Sequence, residues 1–191
     1  MSDSILKTYP GFQIYLAGPI DFVKDRGVGF RESITKKLMK IGLDRTMILD
    51  PCQKPVSSDK YRDFDSEADY YDMLRKHCMW DELEAQTKMT IHVDLRMVDL
   101  SDVIIAVFNP DVFMFGTIHE IVQARQQKKP VLVVDPRGKD GTSIWALGLV
   151  GHNHIFTTED EAIDYLDDVL SGKLEVNMTE WLFLHMKNGK K

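Results

Sequence analysis

Val103-Ile104-Ile105-Ala106-Val107-Phe108 is the stretch that most restricts what this chain can fold into. It is short, β-branched and uncharged, the pattern of a strand covered on both faces rather than one alternating between core and water. Strands of that kind belong to parallel sheets, whose neighbours are joined by long crossovers, usually helical. Val131-Leu132-Val133-Val134 has the same character. Phe12-Gln13-Ile14-Tyr15-Leu16-Ala17 and Met47-Ile48-Leu49 extend the series, ended by Gly18-Pro19 and Asp50-Pro51, and His154-Ile155-Phe156 is the candidate last strand.

The segments between these runs read as helices. Gly29 to Ile41 places Phe30, Ile34, Leu38 and Ile41 on one face, with Gly42 as the stop. Gln53 to about Phe64 is polar and reads as a loop, whereas Ser66 to Thr90 has neither Gly nor Pro and holds enough apolar residues for one or two helices. A further helix runs through Glu120 and ends at Lys128-Lys129-Pro130, and Thr158-Glu159-Asp160-Glu161 caps a closing one to about Leu170. The rhythm predicts an α/β fold, a doubly wound parallel sheet of about five strands with helices on both faces. Residues 1–172 form one domain in this reading, and 173–191 a C-terminal extension, helical in part. Its Thr179-Glu180-Trp181-Leu182-Phe183-Leu184-His185 is apolar enough to dock on the core or on a neighbouring subunit.

At 191 residues the chain has room for one full-sized core. A hydrophobic share of 43% and a charged share of 28% are ordinary for a globular protein. The net charge of -6 argues against a general binder of nucleic-acid polymers, which needs a basic face. Lys187, Lys190 and Lys191 read as a solvated tail. Cys52 and Cys78 show neither metal-ligand spacing nor a paired framework, so a reducing compartment is expected. The first residues lack an apolar signal core and no run is long enough to span a bilayer, so the expectation is a cytoplasmic protein without a membrane partner.

Ligands of parallel sheets sit beyond the carboxyl ends of the strands. Three positions converge there: Tyr15-Leu16-Ala17-Gly18-Pro19-Ile20-Asp21, then Asp94 in Val93-Asp94-Leu95, then Glu120 closing Phe115-Gly116-Thr117-Ile118-His119-Glu120. Helix N-termini favour negative charge, so Glu120 is expected to be ionised and a candidate nucleophile. A glutamate stabilising its own helix start is the plain structural alternative. Two carboxylates in one cleft suit glycosidic chemistry, one attacking the sugar carbon and one protonating the leaving group. Their mutual repulsion raises one pKa and holds the acid protonated. A capping or surface aspartate is the alternative for Asp94, and a core strand tyrosine for Tyr15. Lys24, Arg26, Gly27, Gly29 and Arg31 are candidates to hold a 5′-phosphate at a helix start, although a solvated loop carries the same letters. His119 points about a quarter turn from Glu120 and reads as a supporting residue.

Taken together, Ile14-Tyr15-Leu16-Ala17-Gly18-Pro19-Ile20, Ile48-Leu49-Asp50-Pro51, Asp94-Leu95, Ser101-Asp102-Val103-Ile104, Gly116-Thr117 with Glu120, and Lys129-Pro130-Val131-Leu132-Val133-Val134 resemble the nucleoside 2-deoxyribosyltransferase family over roughly Phe12 to Phe156. The resemblance implies a flavodoxin-like fold and a double displacement at a 2′-deoxynucleoside or deoxynucleotide. In that pattern Glu120 is the nucleophile, Asp94 protonates the departing base and Tyr15 orients the nucleophile. A second base or water then takes the sugar, with no metal and no organic cofactor. The implied substrate-binding residues are Gly18, Pro19, Ile20, Asp21, Arg31, Asn109, Gly116, Thr117 and Trp145, and a homo-oligomer is implied because family members complete the pocket across subunits. Many members carry an acidic residue six positions before the nucleophile, where this chain has Met114.

Two other readings stand beside this one. Gly116-Thr117 with Glu120 also resembles the start of a helix in phosphoribohydrolases that release cytokinin-type bases, but the Pro-Gly-Gly approach of those enzymes is absent. A non-catalytic nucleotide-binding or partner-binding module draws support from Met114 and from the bulk of Phe113-Met114-Phe115.

Overall fold

The computed structural model describes residues 11–54 and 64–187. Most of the expected loop from Gln53 to Phe64, the residues before Gly11, and Lys190 and Lys191 lie outside the described residues. In chain order the elements are β1 (Ile14–Ala17), α1 (Val28–Lys40), β2 (Ile48–Leu49), α2 (Glu67–Lys76), α3 (Trp80–Leu100), β3 (Val103–Val107), α4 (Phe115–Gln126), β4 (Val131–Val134), α5 (Gly138–Gly141), α6 (Ile144–Val150), β5 (Ile155–Phe156) and α7 (Glu159–Ser171). The five strands form one all-parallel sheet in the order β2-β1-β3-β4-β5, the flavodoxin-like doubly wound order. Among the described residues, no helix is long and apolar enough to cross a membrane.

The period of two along each strand divides the core into two layers. Ile14 and Leu16 of β1, Val103 and Ile105 of β3 and Leu132 of β4 face Ile34 and Leu38 of α1 and Ile163, Leu166, Val169 and Leu170 of α7. Tyr15, Ala17, Ile104, Ala106, Val131 and Val133 face the other way, against Met97 and Val98 of α3, Ile121 and Ala124 of α4, and Val150 of α6. Tyr15 therefore lies on the face covered by α3 and α4, which carry Asp94 and Glu120. The uncharged runs are uncharged because both of their faces are covered, each fully buried Leu or Ile contributing roughly 1.5–3 kcal/mol.

Local signals explain the starts of three helices. Thr158 accepts from Glu161 N while the Glu161 side chain reaches back, a complete capping box for α7. Ser66 accepts from Asp69 N at the start of α2. Gly27 precedes α1 with φ of 73°, and a Cβ there would lie 2.2 Å from the Pro19 carbonyl oxygen, so no larger residue fits. The region from Ser66 to Thr90 resolves into two helices, broken where Cys78 takes a positive φ of 54°.

Helix α3 runs ten residues beyond Thr90, to Leu100. Val93, Met97 and Val98 are spaced to meet the same core layer, so helical packing continues through what reads in sequence as the approach to the strand. Asp94 is consequently a mid-helix residue, neither a cap nor a loop aspartate. After α7 the chain returns across the α1/α7 layer. Trp181, Phe183 and Leu184 are buried in it, and the Phe183 ring lies 5.0 Å from that of Phe12, so this segment docks on the chain's own core.

Candidate active site

Tyr15 is completely buried on β1, and its hydroxyl donates a 2.7 Å hydrogen bond to Glu120 Oε1 across 105 residues of sequence. The strand supplies a fixed phenol, and α4 brings the carboxyl to it in the helix's second turn. On the opposite side of the cluster, Lys54 Nζ lies 2.9 Å from Asp94 Oδ1 and 2.8 Å from Glu67 Oε2. The Lys54–Asp94 contact is an ion pair rather than an aligned hydrogen bond, since the buried Oδ1 has no partner in hydrogen-bond geometry. Glu67 also accepts from the Tyr71 hydroxyl at 2.9 Å and from Thr90. Four elements thus meet around three carboxyls and one ammonium: β1, α2, α3 and α4, with Lys54 arriving from the turn after β2.

The electrostatics follow from burial. Glu120 is raised to about 7 chiefly by desolvation; the Tyr15 hydrogen bond works against this and the nearby Asp94 charge adds to it. Asp94 is raised to about 6, again chiefly by desolvation, with Lys54 pulling it down and Glu67 pushing it up. Burial alone would raise Glu67 as well, but Lys54, Thr90 and Tyr71 outweigh it and hold its carboxyl below the usual range. Lys54 stays protonated because Asp94 and Glu67 overcome its desolvation. The expectation that Glu120 is simply ionised by its helix start is corrected here. The carboxyl sits past the first turn, where the dipole fades, and desolvation dominates. Both carboxyls are raised, so Glu120 and Asp94 titrate as a pair around neutral pH.

Arg31 has a different part from the expected one. It is 1% exposed; Nη1 and Nη2 each donate at 2.9 Å, to the Gly27 and Gly18 carbonyls, Nε points at the Leu16 carbonyl, and Asp50 Oδ1 lies 3.5 Å away. All three nitrogens face main chain, so Arg31 holds the β1–α1 connection in shape instead of presenting its fork to a ligand. Arg26 is paired with Asp69 at 3.2 Å and with Asp72. Gly18 and Pro19 are buried beside this knot, and a Cβ on Gly18 would lie 2.3 Å from the Phe30 ring. Ile20 is half-buried and Asp21 exposed.

Asn109 takes its side-chain oxygen into its own turn, accepting from Asp111 N at 2.9 Å. Met114 turns inward: it packs against the layer of Tyr15 and Ile121, and its sulfur accepts from Asn109 N. Thr117 is buried in the first turn of α4, whereas Gly116 and His119 are exposed. Trp145 is not drawn into the cluster; it is 87% exposed beside Ile144 at 84%. Lys54 and Glu67 are the members of the cluster that sequence reasoning missed. Lys54 sits in a polar turn with no periodic pattern, and Glu67 looks like any first-turn acid.

Two concavities lie elsewhere. One, of about 1350 Å³, is lined by residues including His154, Tyr165, Glu180 and Trp181 at the β5 edge. Its buried His154 is already bonded at both ring nitrogens, to the Val150 carbonyl and to Tyr165, and this argues for a structural histidine. The other, of about 610 Å³, lies between the loop after β1 and the start of α2. The desolvated, coupled carboxyls with a fixed phenol make the Tyr15–Glu120–Asp94 cluster the better candidate for chemistry. Among the described residues, no group of three or more His, Cys, Asp or Glu is arranged to hold a metal ion.

No protein-family model and no curated protein sequence matches this chain. Among solved structures, a conserved protein from Enterococcus faecalis V583 is similar, with a TM-score of 0.55 over 83% of this chain and 99% of that one at 16% sequence identity. At that identity the likeness supports the α/β fold alone.

Proposed function

We propose that the chain cleaves the N-glycosidic bond of a 2′-deoxynucleoside or deoxynucleotide through a covalent deoxyribosyl–Glu120 intermediate. The observation carrying this reading is the 2.7 Å bond from the buried Tyr15 hydroxyl to Glu120, with Asp94 close enough to raise the Glu120 pKa. In the first half, a Glu120 oxygen bonds to the anomeric carbon as the C–N bond breaks, its electron pair going to the base nitrogen, which takes a proton from Asp94. In the second half an incoming base or water gives its proton to Asp94, attacks the same carbon and releases Glu120. Tyr15 keeps the attacking carboxyl in one orientation throughout. With Glu120 at about 7 and Asp94 at about 6, the productive form, Glu120 ionised and Asp94 protonated, is the minor one-proton form of the pair near neutral pH.

Incubation with deoxynucleosides and deoxynucleotides, with free base followed by chromatography, tests the reading. Base release lost in Glu120→Ala while the fold persists is the expected result. No base from any substrate, with ligand still bound, would instead favour a binding module. Adding a second free base separates the two outcomes of the intermediate: exchange products mean transfer, base release alone means hydrolysis. A homo-oligomer belongs to the same proposal, supported by the exposed Ile144 and Trp145, and sedimentation of the purified protein measures it.

A further inference from the structure

Lys54 has no part in the double displacement as described, yet its ammonium is enclosed, with 8% of its side chain exposed. Its two contacts fix it in space: Glu67 Oε2 at 2.8 Å on one side and Asp94 Oδ1 at 2.9 Å on the other. Glu67 is itself held, by the Tyr71 hydroxyl at 2.9 Å and by Thr90, one turn before Asp94 on α3. The result is a chain of charges, Glu67–Lys54–Asp94, built from three separate elements and ending at the carboxyl assigned to the departing base. An ammonium pinned by a second carboxylate cannot swing away when its first partner changes charge.

We propose that Lys54, anchored by Glu67, is a positioning residue for Asp94: it engages Oδ1, so that Oδ2 is the oxygen that gives the proton to the departing base and takes it back from the incoming one. This inference rests on the glycosidic reading of the site. In the forward step the Oδ2–H bond breaks, its electrons stay on Asp94, and the proton goes to the base nitrogen that receives the C–N pair. The new carboxylate is formed beside the Lys54 ammonium, so the charge left by the acid is balanced where it appears. In the return step the incoming base or water supplies the proton to Oδ2, and the ammonium remains in place. Glu67 on α2, Arg31 on α1, Glu120 on α4 and the Tyr15 phenol on β1 also face Asp94 or its neighbours; of these Glu67 loses its own ion pair when Lys54 is altered, and the rise in its pKa is read as a separate carboxyl titration.

The test compares Lys54→Met, which removes the charge at similar length, with Lys54→Arg, which retains it. Two readouts are taken: the pH profile of base release, and the carboxyl titration of Asp94 by 13C NMR, assigned through Asp94→Asn. In Lys54→Met the Asp94 titration moves upward by about one pH unit or more, and the limb of the profile that follows Asp94 moves with it, because an opposite charge within a few ångströms has been lost. Lys54→Arg keeps both near their wild-type pH. A Lys54→Met protein that stays folded and loses rate with neither limb nor titration moved would overturn the proposal. An Arg variant shifted as far as the Met variant would do the same. If no base is released even by the unaltered protein, the glycosidic reading falls, and the NMR titration alone still decides whether Lys54 governs Asp94.

Discussion

Replacing Glu120 by Gln should make the protein more stable, and by an amount that depends on pH. The folded carboxyl titrates at about 7 against an ordinary 4.5, and at roughly 1.4 kcal/mol per pH unit that gap corresponds to about 3 kcal/mol. Because the folded state holds this proton more tightly than the unfolded chain, the folded state is favoured at low pH. Its advantage falls as pH rises from 4.5 to about 7 and is level above. Gln cannot ionise, and its side-chain oxygen still accepts from the Tyr15 hydroxyl. Urea unfolding of both proteins at pH 4, 5, 6, 7 and 8 measures the difference. The variant should match wild type near pH 4 and exceed it by about 3 kcal/mol at pH 8, with the change concentrated between pH 5 and 7. A difference that is flat across this range, or a variant weaker than wild type at pH 8, would refute the claim that burial of a charge dominates at Glu120.

Two further outcomes follow from the same geometry. Tyr15→Phe removes the donor that lowers the Glu120 pKa, so the limb of base release that follows Glu120 moves to higher pH, and the loss of one hydrogen bond to a charged group slows release by roughly 10–100-fold. An unchanged profile would detach the phenol from the nucleophile. Trp181→Ala empties a 1%-exposed site in the α1/α7 layer and should cost about 3–5 kcal/mol in denaturant titration. A loss below about 1 kcal/mol would mean that the segment after α7 lies on the core without stabilising it.

The sheet was legible because its strands are covered on both faces, which leaves uncharged runs such as Val103–Val107 and Val131–Val134 with no other reading. Glu120 and Tyr15 were legible for the same reason: a polar group at the end of such a run has few places to go except the mouth of the sheet. Asp94 was visible as a residue but not as a helical one, because Val93, Met97 and Val98 show their spacing only once α3 is extended past Thr90. Arg31 was misassigned, since its letters match a phosphate site, whereas its partners are the carbonyls of Leu16, Gly18 and Gly27. Main-chain acceptors leave no trace in side-chain sequence. Lys54 and Glu67 were invisible on similar grounds, because their pairing joins a turn and two helices at separations no local pattern encodes.

The contact between Phe12 and Phe183 carries a consequence for how the chain is threaded. It brings the segment that opens the fold against the one that closes it, so the polypeptide path is nearly a closed circuit. A circuit has no privileged starting point. Joining the chain just before Phe12 to the chain just after Phe183 through a short flexible linker, and opening it at the short exposed helix α5 around Lys139 to Gly141, should yield a rearranged order of the remaining elements with the same sheet. In such a permuted protein β5 and α7 would precede β1, while Tyr15 and Glu120 keep their separation of 105 residues and still meet.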